Sequence, residues 1–195
     1  MANASVKLKN VRIVWPSLFQ ARKVDQNNPA EEAKYSASFL IPKDTDEGKA
    51  AIAAMRDAIK SIAAAAWPGD AKALKSDKQP MRDGDSEDAP NWAKGCVYFR
   101  AKAKRAPGVF DTNPKNRIEE HDGRPQGGDF VNVALGLFSY DGKFGKGVSA
   151  GLDAVQFVAS GEPIGGAPRA GSDAFDDISG SSTAVGSGDG ADLPF

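Results

Sequence analysis

The chain is 195 residues long and 41% hydrophobic, with 25 Lys and Arg against 26 Asp and Glu, a formal net charge of −1. That length fits one domain plus a tail, and near-neutrality taken alone argues against a nucleic-acid binder. The only cysteine, Cys96, excludes an intramolecular disulfide framework and any multi-cysteine zinc or iron–sulfur site; with no apolar h-region in Met1–Lys9 and no apolar run of spanning length, a reducing cytoplasm fits best and no membrane segment is expected.

Along the chain, Val6 and Leu8 alternate with polar neighbours, and the pattern resumes one position out of phase as Val11, Ile13 and Trp15. This predicts one long strand with a bulge near Asn10. Trp15-Pro16 is expected to end it, since proline cannot donate to a ladder, and the phase of Trp15 favours the core. Gln20 to Lys34 is polar and reads as a loop. Tyr35, Ala37, Phe39 and Ile41 predict a second strand, closed by Pro42. Ile52, Met55, Ile59, Ile62 and Ala66 recur at helical spacing, which predicts a helix over 44–67, capped by Asp44 or Thr45 and stopped by Trp67-Pro68-Gly69. Residues 70–91 are charged and poor in large apolar groups, and read as a mobile excursion.

The strand from Cys96 to Arg105 carries most of the chemistry. Val97, Phe99, Ala101 and Ala103 share one face, while Tyr98, Arg100, Lys102 and Lys104 share the other. A later strand sets Val131, Val133, Leu135 and Leu137 inward and leaves Phe130, Asn132, Ala134, Gly136, Phe138 and Tyr140 on its reverse. Asp141-Gly142 marks a turn, and Val148 to Val158 forms the last strand. Five or more strands with one helix and no βαβ rhythm predict a mostly β domain over 1–160, a small, mostly antiparallel β-barrel or sandwich, with the OB-fold, a small Greek-key β-barrel, as the natural candidate.

Resolved by position, the charge changes meaning. From Ala170 onward there are five carboxylates (Asp173, Asp176, Asp177, Asp189, Asp192) and no Lys or Arg, leaving 25 basic against 21 acidic residues over Met1–Arg169: a body of +4 carries a tail of −5. Gly161–Phe195 holds eight Gly, five Ser and three Pro, a composition that cannot bury enough surface to offset its ordering entropy. Residues 161–195 are therefore expected to form a disordered acidic tail, ending in Leu193-Pro194-Phe195 as a short motif for a partner's pocket.

Rings and cations interleaved on one strand face are what a single-stranded nucleic acid needs, because bases stack on flat rings while Lys and Arg neutralise phosphates. Tyr98, Phe138 and Tyr140 are the candidate stacking residues, with Trp15 and Trp92 as lesser ones. Arg100, Lys102, Lys104, Arg105, Lys143 and Lys146 are the candidate phosphate contacts. The alternative is an ordinary solvated sheet face. Glu119, Glu120, His121 and Asp122 form the one cluster with metal-ligand chemistry, and a divalent-metal nuclease acting through Glu119, Asp122 and Asp129 is the competing enzyme reading; four consecutive loop residues cannot all face one ion. The glycine-rich GKFGKG of Gly142–Gly147 is not a phosphate loop, because Val148 and Ser149 follow where Lys and then Ser or Thr are required. A protein-interaction module without DNA affinity is the third class.

The combination resembles the phage single-stranded DNA-binding proteins with an OB-fold. The resemblance rests on VKLKNVRIVWPSLF at the N-terminus, KYSASFLIPKD leading into the helix, GVSAGLDAVQFV as the closing strand, and the ending ADLPF. The tail is also similar to that of bacterial single-stranded DNA-binding proteins, whose acidic tip ends in Pro-Phe; Pro194 and Phe195 match, Leu193 is a conservative variant, and the acidic run is thinned to Asp189 and Asp192. What the resemblance implies is a non-enzymatic protein without cofactor that coats ssDNA in phage replication, recombination or repair and recruits replication or recombination proteins through its tail. An unpaired edge strand would allow homo-oligomers.

Overall fold

The computed structural model of the chain describes residues 2–23, 27, 30–70, 74, 76–142 and 145–164. Five strands close into a barrel. The first, β1 (Asn3–Arg22), is long enough to pair antiparallel with two neighbours, β2 (Lys34–Pro42) and β6 (Phe130–Gly142). β2 pairs antiparallel with β4 (Cys96–Ala103), and β6 with β7 (Gly145–Ala159). A parallel pairing at Lys102 and Gly151 joins β4 to β7 and closes the ring. Two three-residue strands are added outside it: β3 (Met81–Asp83) on β4, and β5 (Gly108–Phe110) on β7.

The expected inward rows fill this barrel: Leu8, Val11 and Ile13, Phe39 and Ile41, Phe99 and Ala101, and Val131, Val133, Leu135 and Leu137 all belong to one buried cluster. Phe39 and Phe99 stack at its centre with centroids 5.2 Å apart. The bulge expected near Asn10 is present, with the register slipping between Leu8 and Val11 and Asn10 at a φ of 53°. Asn132 Oδ1 accepts from the Asn10 N–H at 3.0 Å and so occupies a donor that the slip removes from the ladder.

The predicted helix is α1 (Asp46–Ala66). Thr45 is its cap, accepting from the Gly48 N–H at 3.1 Å. Ile52, Met55, Ile59 and Ile62 lie in the barrel's core cluster, so the helix is an additional layer on β1, β2, β6 and β7. Gly48 permits the approach: a Cβ there would come within 1.9 Å of the Pro42 carbonyl oxygen.

Two expectations are corrected. Pro16 does not end β1, which runs on to Arg22, because a second slip between Val14 and Ser17 takes the proline out of the ladder. The 70–91 excursion is partly built into the sheet. Lys43 pairs with Asp83, and with Asp85 at 2.7 Å, while the Gly84 N–H donates to the Cys96 carbonyl at 2.9 Å. A Cβ on Gly84 would come within 1.9 Å of the Ala93 oxygen, so only glycine lets this loop lie against the segment leading into β4.

Candidate nucleic-acid interface

On the outer face of β4, Tyr98, Arg100 and Lys102 alternate with the buried Val97, Phe99 and Ala101. Leu40, Ser38 and Ser36 of β2 stand opposite these three in turn. The two serines leave room for a long side chain to cross the sheet, and Arg100 Nη2 donates to Ser36 Oγ at 3.0 Å.

Three rings meet at the Tyr98 end. Trp92, presented by the one-turn 3-10 helix Asn91–Ala93, lies edge-on to Trp15 at 4.8 Å and to Tyr98 at 5.3 Å between centroids. Trp15 reaches this cluster because the second bulge gives it a φ of 47°, turning its indole out to 47% exposure while Val14 becomes fully buried. The expectation from phase that Trp15 favours the core is therefore corrected. Val14, Leu40 and Ala93 form a small apolar layer beneath the rings, separate from the barrel's interior.

At the other end, Lys102 faces Gly151 across the closing seam, and Gly151 faces Gly136. These glycines make a backbone floor. Phe138, 40% exposed, stands beside it, in an open groove of about 560 Å³ shared with Lys102, Lys104 and Arg105. Asp153 is the one carboxylate among the described lining residues, with Oδ2 only 3.3 Å from where a Gly136 Cβ would sit.

The charge here is concentrated enough to act on itself. The Lys102 ammonium is held below its ordinary value, first by burial and then by the like charges of Arg100 and Lys34. Lys104 pairs with the exposed Glu32 at 2.8 Å, and the hydrogen bond and charge of Lys104 hold the Glu32 carboxyl below its usual range. Such an exposed pair contributes little to stability and opens readily to a competing anion.

A family model described as Enterobacter phage Enc34, ssDNA-binding protein, matches residues 4–185. The chain belongs to that family. A relative named "Putative protein p50", from Acyrthosiphon pisum secondary endosymbiont phage 1, is 34% identical over 181 residues, which cover 89% of this chain and 94% of the relative. Among solved structures, the single-stranded DNA-binding protein from bacteriophage Enc34 in complex with ssDNA superposes with a TM-score of 0.70 at 25% identity, covering 83% of this chain and 89% of that one. The single-stranded DNA-binding protein gp2.5 of bacteriophage T7 gives 0.55 at 17% identity over 83% and 95% of the two chains, a likeness of fold alone. The mostly β barrel with one helix is thus the fold of this family of phage ssDNA-binding proteins.

Not every candidate from the sequence joins this surface. Tyr140 shares a strand face with Phe138, yet its ring lies over Gly147, where a Cβ would come within 2.2 Å of it, and lines a separate hollow with Ala66 and Trp67 at the end of α1. Lys146 is paired with Asp70 at 3.0 Å. Lys143 and the tail residues Asp189, Asp192, Leu193, Pro194 and Phe195 lie outside the described residues. Gly136 and Gly151 have no side-chain chemistry to mark them as part of a site; the signal the sequence offers is a glycine at an outward position of each of two neighbouring strands. Membership in the family weighs against the nuclease reading, and so do its carboxylates. Asp122 Oδ2 accepts from the Glu119 N–H at 2.8 Å. The buried Asp129 accepts from the N–H groups of Gln126 at 2.7 Å and Gly161 at 3.2 Å. Among the described residues no three His, Cys, Asp or Glu side chains converge on a metal position, and no helix is long and apolar enough to cross a membrane.

Proposed function

We propose that the chain binds single-stranded DNA largely without sequence preference, coating exposed strands during phage replication, recombination or repair in the host bacterial cytoplasm. The observation that carries this reading is the run of outward groups from the Trp15–Trp92–Tyr98 cluster, along Arg100, Lys102 and Lys104, to the glycine-floored groove at Phe138. Rings at both ends stack bases, each interaction contributing roughly 1–3 kcal/mol. The cations between them neutralise phosphates and release counterions. Ring faces accept any base and phosphates are common to all sequences, so such a surface discriminates strand state more than sequence. No residue here is assigned a catalytic role.

The acidic tail is the second part of the proposal. Its five carboxylates, tethered to a body of +4, compete with DNA for the cationic face and restrain weak binding to duplex or RNA. When ssDNA displaces the tail, Phe195 becomes available to a replication or recombination protein. Gel shifts with ssDNA, dsDNA and RNA at two salt concentrations, repeated with Mg²⁺ or Mn²⁺, test the first part. Retarded but unshortened ssDNA, with log K falling against log salt at a slope near −3 for about four phosphate contacts, is expected. Affinity that ignores salt refutes it. Deleting residues 171–195 should raise ssDNA affinity at low salt, and unchanged or weaker binding refutes the competition.

A further inference from the structure

We infer that the outer face of β1, β6 and β7 carries a second single-strand groove, beyond the Phe138 groove, in which a base packs beside the Phe110–Arg117 pair and Lys7 and Lys9 hold the flanking phosphates. The inference rests on the ssDNA reading above and lengthens the strand's path around the barrel.

A hollow of about 210 Å³ lies on this face, lined by Lys7, Lys9, Phe110, Ala134, Ala154 and Gln156 among others, with no carboxylate among the described lining residues. Register explains its shape. Lys7 stands opposite Ala134, Ala134 opposite Ala154, and Ala154 opposite Gly108, so one row across three strand pairings has cations at one margin and small residues along its floor. Lys7 and Lys9 are exposed, at alternate positions of β1, and make no ion pair among the described residues.

The opposite margin is an anchored aromatic. Phe110 pairs with Arg117 across a tight loop, which brings the guanidinium over the ring at 5.7 Å from its centroid. Gln156 Nε2 on β7 donates to the carbonyls of Asp111 at 3.3 Å and Thr112 at 2.9 Å, tying the loop to the barrel. Gly108 lets the ring lie against the sheet, since a Cβ there would come within 2.7 Å of it.

The site thus repeats the composition of the Phe138 groove: a ring at one side, cations at the other, and a floor of minimal side chains. It is also continuous with it, because Ala134 is the outward residue of β6 next to Gly136, and Ala154 follows Gly151 on β7 after a bulge at Asp153. That continuity, with cations and no acid among the described residues of the hollow, commits the occupant to the same DNA strand.

The test uses the full chain with DNA in excess, so that each strand holds one protein, and two dT oligonucleotides of about 6 and about 16 nucleotides, both within the range of about 4 to 16 nucleotides occupied per OB-fold. Wild type should bind the longer one more tightly. K7A/K9A should weaken the longer oligonucleotide and lower its salt slope by about 1.4, from about 0.7 per phosphate, while affinity for the shorter one stays within twofold. Phe110→Ala should lose the same length dependence with the slope unchanged. Unchanged binding of the longer strand by K7A/K9A overturns the proposal, as does an equal loss on both oligonucleotides, which would make the lysines part of a general field. Tighter binding by K7A/K9A also overturns it, by assigning the groove to the acidic tail. If wild type binds neither oligonucleotide, the ssDNA reading itself fails.

Discussion

Trp92 stands between the two other rings of the outer cluster, 4.8 Å from Trp15 and 5.3 Å from Tyr98, so Trp92→Ala is the most informative single change. If only its own stacking is lost, roughly 1–3 kcal/mol disappears from the binding free energy, which at about 1.4 kcal/mol per tenfold is a drop of about 5- to 140-fold in affinity. The upper part of that range is expected, because Trp92 also props Trp15 and Tyr98 and rests on Val14, Leu40 and Ala93. Fluorescence polarisation with a labelled dT oligonucleotide at several salt concentrations measures it. Stacking releases no counterions, so the curves for Trp92→Ala should fall below wild type in parallel with it. Trp92→Phe keeps a flat ring and should recover most of the loss. The control is thermal unfolding: the ring layer lies outside the barrel core, so the variant should retain a cooperative transition. An affinity within twofold of wild type in a folded Trp92→Ala protein refutes the stacking role, and a changed salt slope shows that the substitution acted through charge instead.

The cations should give the opposite signature. Arg100→Ala and Lys102→Ala should each lower the salt slope by about 0.7, and a slope equal to wild type in both removes them from the phosphate path. Lys102 also gives a pH dependence. Its pKa in the free protein is held below the ordinary lysine value by burial and by Arg100 and Lys34, and a bound phosphate raises it, so the complex binds more protons than the free protein. Affinity should therefore fall as pH rises through the free-protein pKa toward the ordinary lysine range, and Lys102→Arg, which stays charged, should flatten that fall; an identical pH profile in this variant refutes the assignment. Asp153→Asn removes the one carboxylate among the described lining residues of the Phe138 groove. With like charges about 4 Å apart in water repelling by about 1 kcal/mol, ssDNA affinity should rise about fivefold at low salt and converge with wild type at high salt, and an affinity no higher at low salt counts against a phosphate passing this point.

The inward rows, the helix with its Thr45 cap, and the ring and cations of β4 were legible because each depends on a local period that sequence displays directly. Phase ceases to be informative at a bulge. Val11 and Ile13 predict an inward Trp15, but a positive φ at Trp15, ahead of a proline already outside the ladder, resets the alternation and exposes the indole. The 70–91 segment failed for a different reason: β3 is three residues long and is held by Lys43, Asp83, Asp85 and the close approach at Gly84, none of which leaves a periodic trace. Phe138 and Tyr140 are equivalent by alternation, and only their neighbours separate them, Gly151 and the β4 cations for one, the end of α1 for the other.

Closure of the barrel makes the candidate interface a property of the fold and not of any one strand. Lys102 and Gly151 are far apart in sequence, yet their pairing brings the cations of β4 beside the glycine floor and Phe138 of the β6–β7 hairpin. The two halves differ: the β4 face offers charge and one ring cluster, whereas the hairpin offers a ring and a low floor. Joined, they form a track with rings at both ends and cations between, which suits a ligand that is at once polyanionic and flat-sided. A peptide of the tail's composition supplies the charge but few rings, and a duplex hides its base faces, so both should compete with single strands mainly at low salt.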